Sequence, residues 1–109
     1  INTDTNGRAF KEGQTGVAIG ISGIAPFRDW RGKHDLFGRE LQVKNEAVVD
    51  ELAGLGNLLT GEADGGTPVV IVRGYKFRAR KASIKETYRD EKFDIIKRAL
   101  RKLRHTEKA

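Results

Sequence analysis

Apolar positions recur with two different periods along the chain, and the alternation of those periods outlines the fold. Residues 16–22 alternate branched apolar with small side chains (Gly16, Val17, Ala18, Ile19, Gly20), the period of two that marks a strand. The small face of that strand leaves room for another backbone or a ligand to approach closely. Residues 3–5 read as the end of a preceding strand. Residues 23–38 hold Pro26, Trp30 and several charges without periodicity, which suits a long loop or hairpin connection. Residues 39–43 (RELQV) predict a short strand. From 45 to 59 the spacing of Ala47, Val48, Leu52, Leu55, Leu58 and Leu59 is helical. Gly54 and Gly56 weaken that helix by about 1 kcal/mol each relative to Ala, so they mark tight packing against a neighbour. Thr60 and Gly61 stop it.

A continuous apolar run at 68–72 (PVVIV) predicts a buried central strand. A polar, basic stretch at 75–85 follows. The last element predicted is a helix over 90–104, with Phe93, Ile96, Leu100 and Leu103 as its apolar stripe and acids at its start. The order is strand, long loop, strand, helix, strand, helix. The fold class is α+β, a mixed sheet with flanking helices.

Charge adds an asymmetry to this picture. Residues 1–72 carry 7 Lys and Arg against 10 Asp and Glu, while residues 73–109 carry 14 against 5. The net +6 is therefore an acidic body of −3 followed by a basic tail of +9. Cysteine is absent, which excludes disulfides and thiolate metal sites. Hard oxygen ligands and two histidines remain, a set that favours magnesium or manganese over zinc. No apolar run approaches the roughly 20 residues of a membrane span, and a soluble, cytoplasmic protein is expected. At 109 residues, beginning at Ile1, the chain reads as a fragment of something larger.

Two loops carry candidate chemistry. DTNGRAF (residues 4–10) places Asp4 and Thr5 where a strand meets a turn, with Asn6-Gly7 expected to supply the turn. A carboxylate and a hydroxyl there can coordinate a divalent ion that bridges phosphate oxygens, and Arg8 could add a bidentate phosphate contact. On spacing alone, the commoner use of Asp-X-Asn-Gly is an Asx turn in which Asp4 caps its own backbone. TGEADGGT (residues 60–67) has three glycines that can aim backbone N–H groups at an anion. It lacks the GK[ST] ending of a P-loop and carries Glu62 and Asp64 instead. Two carboxylates beside a polyphosphate require a cation between them, and without one this is a solvated acidic loop.

Other features are weaker. Residues 28–35 could hold an anionic substrate or form a subunit contact, but a charged loop pinned by Trp30 accounts for them as well. His34 and His105 read as surface residues. The basic tail invites nucleic acid. Its leucines nevertheless keep helical spacing with the charges opposite, and no aromatics interleave, so nucleic-acid binding ranks second. Neither Ser22 nor Ser83 has the setting of a nucleophile.

The strings DTNGRAFKEGQTGVAIGISGI, RGKHDLFGREL, VVDELAGLGNLLTGEADGGTPVVIVRG and ETYRDEKFD resemble, in order along residues 3–103, the coenzyme F420:L-glutamate ligase family, also called gamma-glutamyl ligase. The resemblance implies that residues 1–109 are the C-terminal portion of such a ligase domain. It implies GTP-dependent addition of L-glutamate to the deazaflavin precursor of coenzyme F420, through an acyl phosphate, with two divalent ions (Mn²⁺ or Mg²⁺) and K⁺, in a homodimer. It implies metal ligation by Asp4, Thr5 and Glu62. It further implies nucleotide binding by Thr60, Gly61, Glu62, Ala63, Asp64, Gly65, Gly66 and Thr67. His34 stands where the family often has Arg or Lys, and Thr60 where it often has Met. The family draws further contacts from an N-terminal portion that these strings do not cover, so a partial site is expected. A small basic nucleic-acid module and a non-catalytic remnant of the ligase fold are the alternatives.

Overall fold

A computed structural model describes residues 1–61 and 65–107, the last three for backbone only. A long antiparallel hairpin comes first, β1 (Asn2–Arg8) and β2 (Lys11–Gly20), in which Thr3 faces Ala18, Asp4 faces Val17 and Thr5 faces Gly16. A second, two-residue pair, β3 (Arg28–Asp29) and β4 (Asn45–Glu46), closes the 30–44 excursion. Helix α1 (Val48–Thr60) lies across β2. After it the chain runs without regular structure to two 3₁₀ turns, Ile84–Thr87 and Glu91–Phe93, and then to helix α2 (Ile95–Glu107). The α+β class expected from the two periods is what the chain adopts.

The seam between β2 and α1 positions everything else. The small face of β2 turns inward: Gly16 and Ala18 are buried while Ile19 is half exposed. A Cβ built on Gly16 would stand 2.8 Å from the Asn57 Cβ and 2.9 Å from the Ala53 carbonyl oxygen. Only glycine allows that approach. Asp50, in the first turn of α1, accepts a hydrogen bond from the Ala18 N–H at 2.9 Å and fixes the other end of the helix on the same strand. Around the seam sit Ile24, Ala25, Pro26, Val48, Val49 and Ala53, with Val49 fully buried. Residues 23–25 are held from their far side by residues 78–80, through Ala25 N–H to the Arg78 carbonyl at 2.9 Å and Arg80 N–H to the Gly23 carbonyl at 3.3 Å.

Several expectations are corrected. Asn6 and Gly7 lie within β1, and the hairpin turns instead at Ala9-Phe10, with Phe10 in the left-handed region at φ +64°. Between Asn6 and Arg8 the register slips, because β2 has extra residues around Gly13 (φ +87°) opposite Gly7. The Arg8 guanidinium fastens that bulge by donating to the Glu12 carbonyl at 2.6 Å and the Gly13 carbonyl at 3.4 Å. Residues 39–43 form no strand. Asp35 Oδ1 accepts the N–H groups of Phe37 and Arg39, Gly38 takes φ +79°, and only scattered bonds such as Leu41 N–H to the Lys33 carbonyl follow. The long loop is thus an irregular hairpin. Helix α1 begins at Val48 rather than 45, because Asn45 and Glu46 are spent pairing with β3. Its tight packing falls on Gly16 of the strand: Gly54 has ordinary contact at 3.7 Å and Gly56 open space.

The apolar run 68–72 is neither strand nor core, with Val69 at 74% and Ile71 at 73% exposure. A ladder needs a partner strand, and composition shows the wish for burial without naming one. Helix α2 starts five residues later than expected, where Asp94 caps it by accepting from the Ile96 and Lys97 N–H groups at 3.0 and 3.1 Å. Its stripe of Ile96, Leu100 and Leu103 is exposed, and α2 packs mainly on the turn before it. The radius of gyration is 17.4 Å, against about 13 Å for a compact chain of this length. Among the described residues no helix is long and apolar enough to cross a membrane.

Candidate functional site

The β2–α1 seam brings Asp4 and Thr5 together with the described residues of the glycine-rich stretch, Thr60, Gly61 and residues 65–67. Thr5 is the ladder partner of Gly16, and Gly16 is where the last turns of α1 press closest. The end of α1 is therefore set beside Asp4 and Thr5. Between them opens a cleft of about 600 Å³, walled by Thr3, Asp4 and Thr5 of β1, by Asn57, Thr60 and Gly61 at the helix end, and by Gly65, Gly66, Thr67 and Pro68 of the returning loop. Residues 52 apart or more in sequence thus line a common space.

The helix end is well formed. Gly61, at φ +70°, donates its N–H to the Asn57 carbonyl at 3.0 Å, and the Thr60 hydroxyl donates to the same carbonyl at 3.2 Å. Gly66 also sits at positive φ, +69°, a conformation glycine adopts without strain. Asp4 is exposed, and its Oδ1 accepts the Thr5 N–H at 2.8 Å. This contact is to the adjacent residue and lies within β1, so the Asx turn weighed from sequence, which would use the Asn6 N–H at a turn, does not form. The contact occupies one carboxylate oxygen, and both residues line the cleft.

Of the eight residues expected to bind nucleotide, Thr60, Gly61, Gly65, Gly66 and Thr67 line this cleft with the expected metal ligands Asp4 and Thr5. Glu62, Ala63 and Asp64 lie outside the described residues. Arg8 does not line the cleft; its guanidinium is held on the hairpin backbone. Asn57 does line it, and periodicity hid it, because position 57 reads only as a polar interruption in a leucine-rich helix.

The residues lining the cleft offer a carboxylate, hydroxyls and one carboxamide, and their hard oxygens fit Mg²⁺ or Mn²⁺. Among the described residues no group of three or more His, Cys, Asp or Glu is placed to hold a metal ion. Asp4 is the one described carboxylate on the cleft wall.

The 28–35 segment is elsewhere and has its own electrostatics. Arg31 grips Asp29 through two contacts at 2.9 and 2.7 Å. The hydrogen bonds from the Arg31 side chain and N–H lower the Asp29 carboxyl to about 2. The Arg28 guanidinium stacks on the Trp30 ring at 3.9 Å. These contacts tie the segment to itself, as the plain reading of a charged loop pinned by Trp30 requires. His34 forms only an isolated bridge to Glu40.

The chain belongs to the F420-0:gamma-glutamyl ligase family, whose model matches residues 1–74. It is 58% identical over 102 residues to the coenzyme F420:L-glutamate ligase of Methanosarcina barkeri, covering 93% of this chain and 40% of that protein. With the enzyme of the same name from Methanosarcina mazei it shares 58% over 106 residues, 96% of this chain and 42% of that one. The Haloarcula marismortui enzyme is 50% identical over 105 residues, with 96% and 40% covered. The chain thus spans about 40% of the length of the curated relatives it matches.

Proposed function

We propose that this chain is the nucleotide- and metal-binding portion of a ligase that joins L-glutamate to the deazaflavin precursor of coenzyme F420 at the expense of GTP. The single observation that carries the reading is the shared cleft, where Asp4 and Thr5 face Thr60, Gly61 and residues 65–67. The names of the relatives supply the glutamate and the coenzyme. The acidic character of the loop supplies the demand for a cation.

In this reading the acceptor carboxylate attacks the γ-phosphorus of GTP, giving an acyl phosphate and GDP. The glutamate amine then adds to the acyl carbon, loses its proton and expels inorganic phosphate, leaving an amide. Asp4, Thr5 and Glu62 would hold divalent ions, Mn²⁺ or Mg²⁺, whose charge offsets that of the transferring phosphoryl group. Thr60 and Thr67 offer hydroxyls, and Gly61, Gly65 and Gly66 let the backbone come close to phosphate oxygens. K⁺ and a homodimeric assembly complete the proposal, with the rest of the ligase providing the remaining contacts.

Calorimetric titration of GTP with and without Mn²⁺ tests it. Binding is expected only with the metal, and Asp4→Asn and Glu62→Gln should each abolish it. Normal nucleotide binding by both variants would overturn the site. A second reading, contact with nucleic acid, is favoured by the exposed cations Lys97, Arg98 and Arg104 on α2. It predicts salt-sensitive oligonucleotide binding that the same two substitutions leave intact.

A further inference from the structure

The described walls of the cleft carry no Lys, Arg or His, and the 62–64 stretch between them adds none in sequence. A polyphosphate seated there meets a carboxylate at Asp4 and a set of hydroxyls. One wall residue alone presents an NH₂ group, Asn57. Its backbone carbonyl is occupied, accepting from Gly61 and Thr60, but among the described residues its carboxamide makes no hydrogen bond. The side chain is half-buried in the last turn of α1. Its Cβ is fixed against β2, where a Cβ on Gly16 would come within 2.8 Å of it. A carboxamide with a clamped stem at the mouth of an otherwise cation-free cleft is a positioned donor.

We infer that the Asn57 side chain is a phosphate-positioning residue, whose Nδ2 donates to a nucleotide phosphate oxygen in this cleft. The inference rests on the nucleotide-metal reading of this cleft and deepens it. A neutral donor suits this place. A lysine or arginine beside Asp4 would pair with the carboxylate and compete with the divalent ion, whereas an amide contributes a directed N–H without that competition.

Substitution at this position is unusually clean. Asn57→Ala keeps the Cβ that meets Gly16 and the backbone carbonyl that closes the helix, and removes only the carboxamide. Asn57→Asp keeps its shape and exchanges the NH₂ for an anionic oxygen. Titrations of Mn²⁺ alone, and of GTP in saturating Mn²⁺, are compared for the three proteins, with thermal unfolding as the check on folding. The expected result is GTP affinity at least tenfold weaker in Asn57→Ala with Mn²⁺ affinity unchanged. In Asn57→Asp, GTP should be weaker still while Mn²⁺ binds as well or better. GTP affinity unchanged in Asn57→Ala, or GTP affinity retained in Asn57→Asp, overturns the assignment. So does a loss of Mn²⁺ affinity in Asn57→Ala, which would make the amide oxygen a metal ligand. Failure of the unsubstituted chain to bind GTP at all overturns the reading that this portion holds nucleotide by itself, and the two failures are thereby told apart.

Discussion

Gly16→Ala should destabilise the chain and open the cleft together. The added methyl would lie 2.8 Å from the Asn57 Cβ and 2.9 Å from the Ala53 carbonyl oxygen, well inside ordinary contact on both. Neither obstacle is a flexible chain end: one is a Cβ and the other is helix backbone, so relief requires α1 to move bodily off β2. Overpacking of this kind typically costs about 1–3 kcal/mol. Against it stand roughly 0.8 kcal/mol from burying the methyl and about 0.4–1 kcal/mol from restricting the unfolded chain. With both contacts under 3.0 Å and neither able to relax locally, the cost falls at the upper end, and the net loss of about 1–2 kcal/mol lowers Tm by roughly 4–16 °C for a domain of this size. Gly56→Ala is the matched control, since a Cβ there meets nothing within 4 Å, and it should stabilise by about 0.5–1 kcal/mol through helix propensity. Differential scanning calorimetry of both variants reads the stability. Mn²⁺-dependent GTP binding reads the cleft and should weaken in Gly16→Ala alone. A Gly16→Ala protein as stable as the unsubstituted chain would show that α1 and β2 are not held at this distance, and the account of how the cleft is set would fall.

Three further outcomes follow from particular contacts. Asp50→Ala removes the carboxylate that receives the Ala18 N–H and acidic charge from the first turn of α1; urea unfolding should show a loss of about 2 kcal/mol, and a loss under 0.5 kcal/mol would deny that contact a role. The Asp29 carboxyl, lowered to about 2 by Arg31, binds its proton more readily in the unfolded chain. Its contribution is therefore complete above the ordinary carboxylate range and is lost as pH falls toward 2. Carbon-detected NMR should find its midpoint there, and Arg31→Ala should raise it; an unshifted midpoint in Arg31→Ala would dismiss the pair. Leu100 is 54% exposed and Val49 is fully buried, so thermal unfolding should register less than about 1 kcal/mol for Leu100→Ala and about 2 kcal/mol for Val49→Ala. Equal losses would mean that the α2 stripe is packed in solution.

What the sequence disclosed about the fold divides by the range of the interactions involved. The α1 periodicity and its Gly61 stop are local, and they emerge within a residue or three of the expected ends. The small face of residues 16–20 announced a close neighbour, and the neighbour is there. Hairpin register is set between strands, and so it was hidden: Asn6-Gly7 has turn chemistry, but pairing of Thr3, Asp4 and Thr5 with Ala18, Val17 and Gly16 carries the turn three residues onward, to Ala9-Phe10. The 68–72 run and the α2 stripe show the limit most plainly. Their apolar patterns record that burial is wanted, and both remain exposed among the described residues because pattern says nothing about which surface supplies it.

The candidate site is proposed from sequence on different grounds. Asp4, Thr5 and residues 60–67 each have a plain reading alone, as a turn and as a solvated acidic loop, and it is their pairing and the family resemblance that single them out. Their convergence was not readable there. It depends on Gly16, which carries no chemistry at all, and on its meeting with Asn57, which looks in sequence like a helix filler. The residues that speak of function are thus those whose side chains are costly to leave unpartnered. The residues that assemble the site are those whose value lies in what they omit, a Cβ at Gly16, or in where a neighbour fixes them, as Gly16 fixes Asn57. Sequence chemistry points to the first kind, and only the packing of α1 on β2 exposes the second.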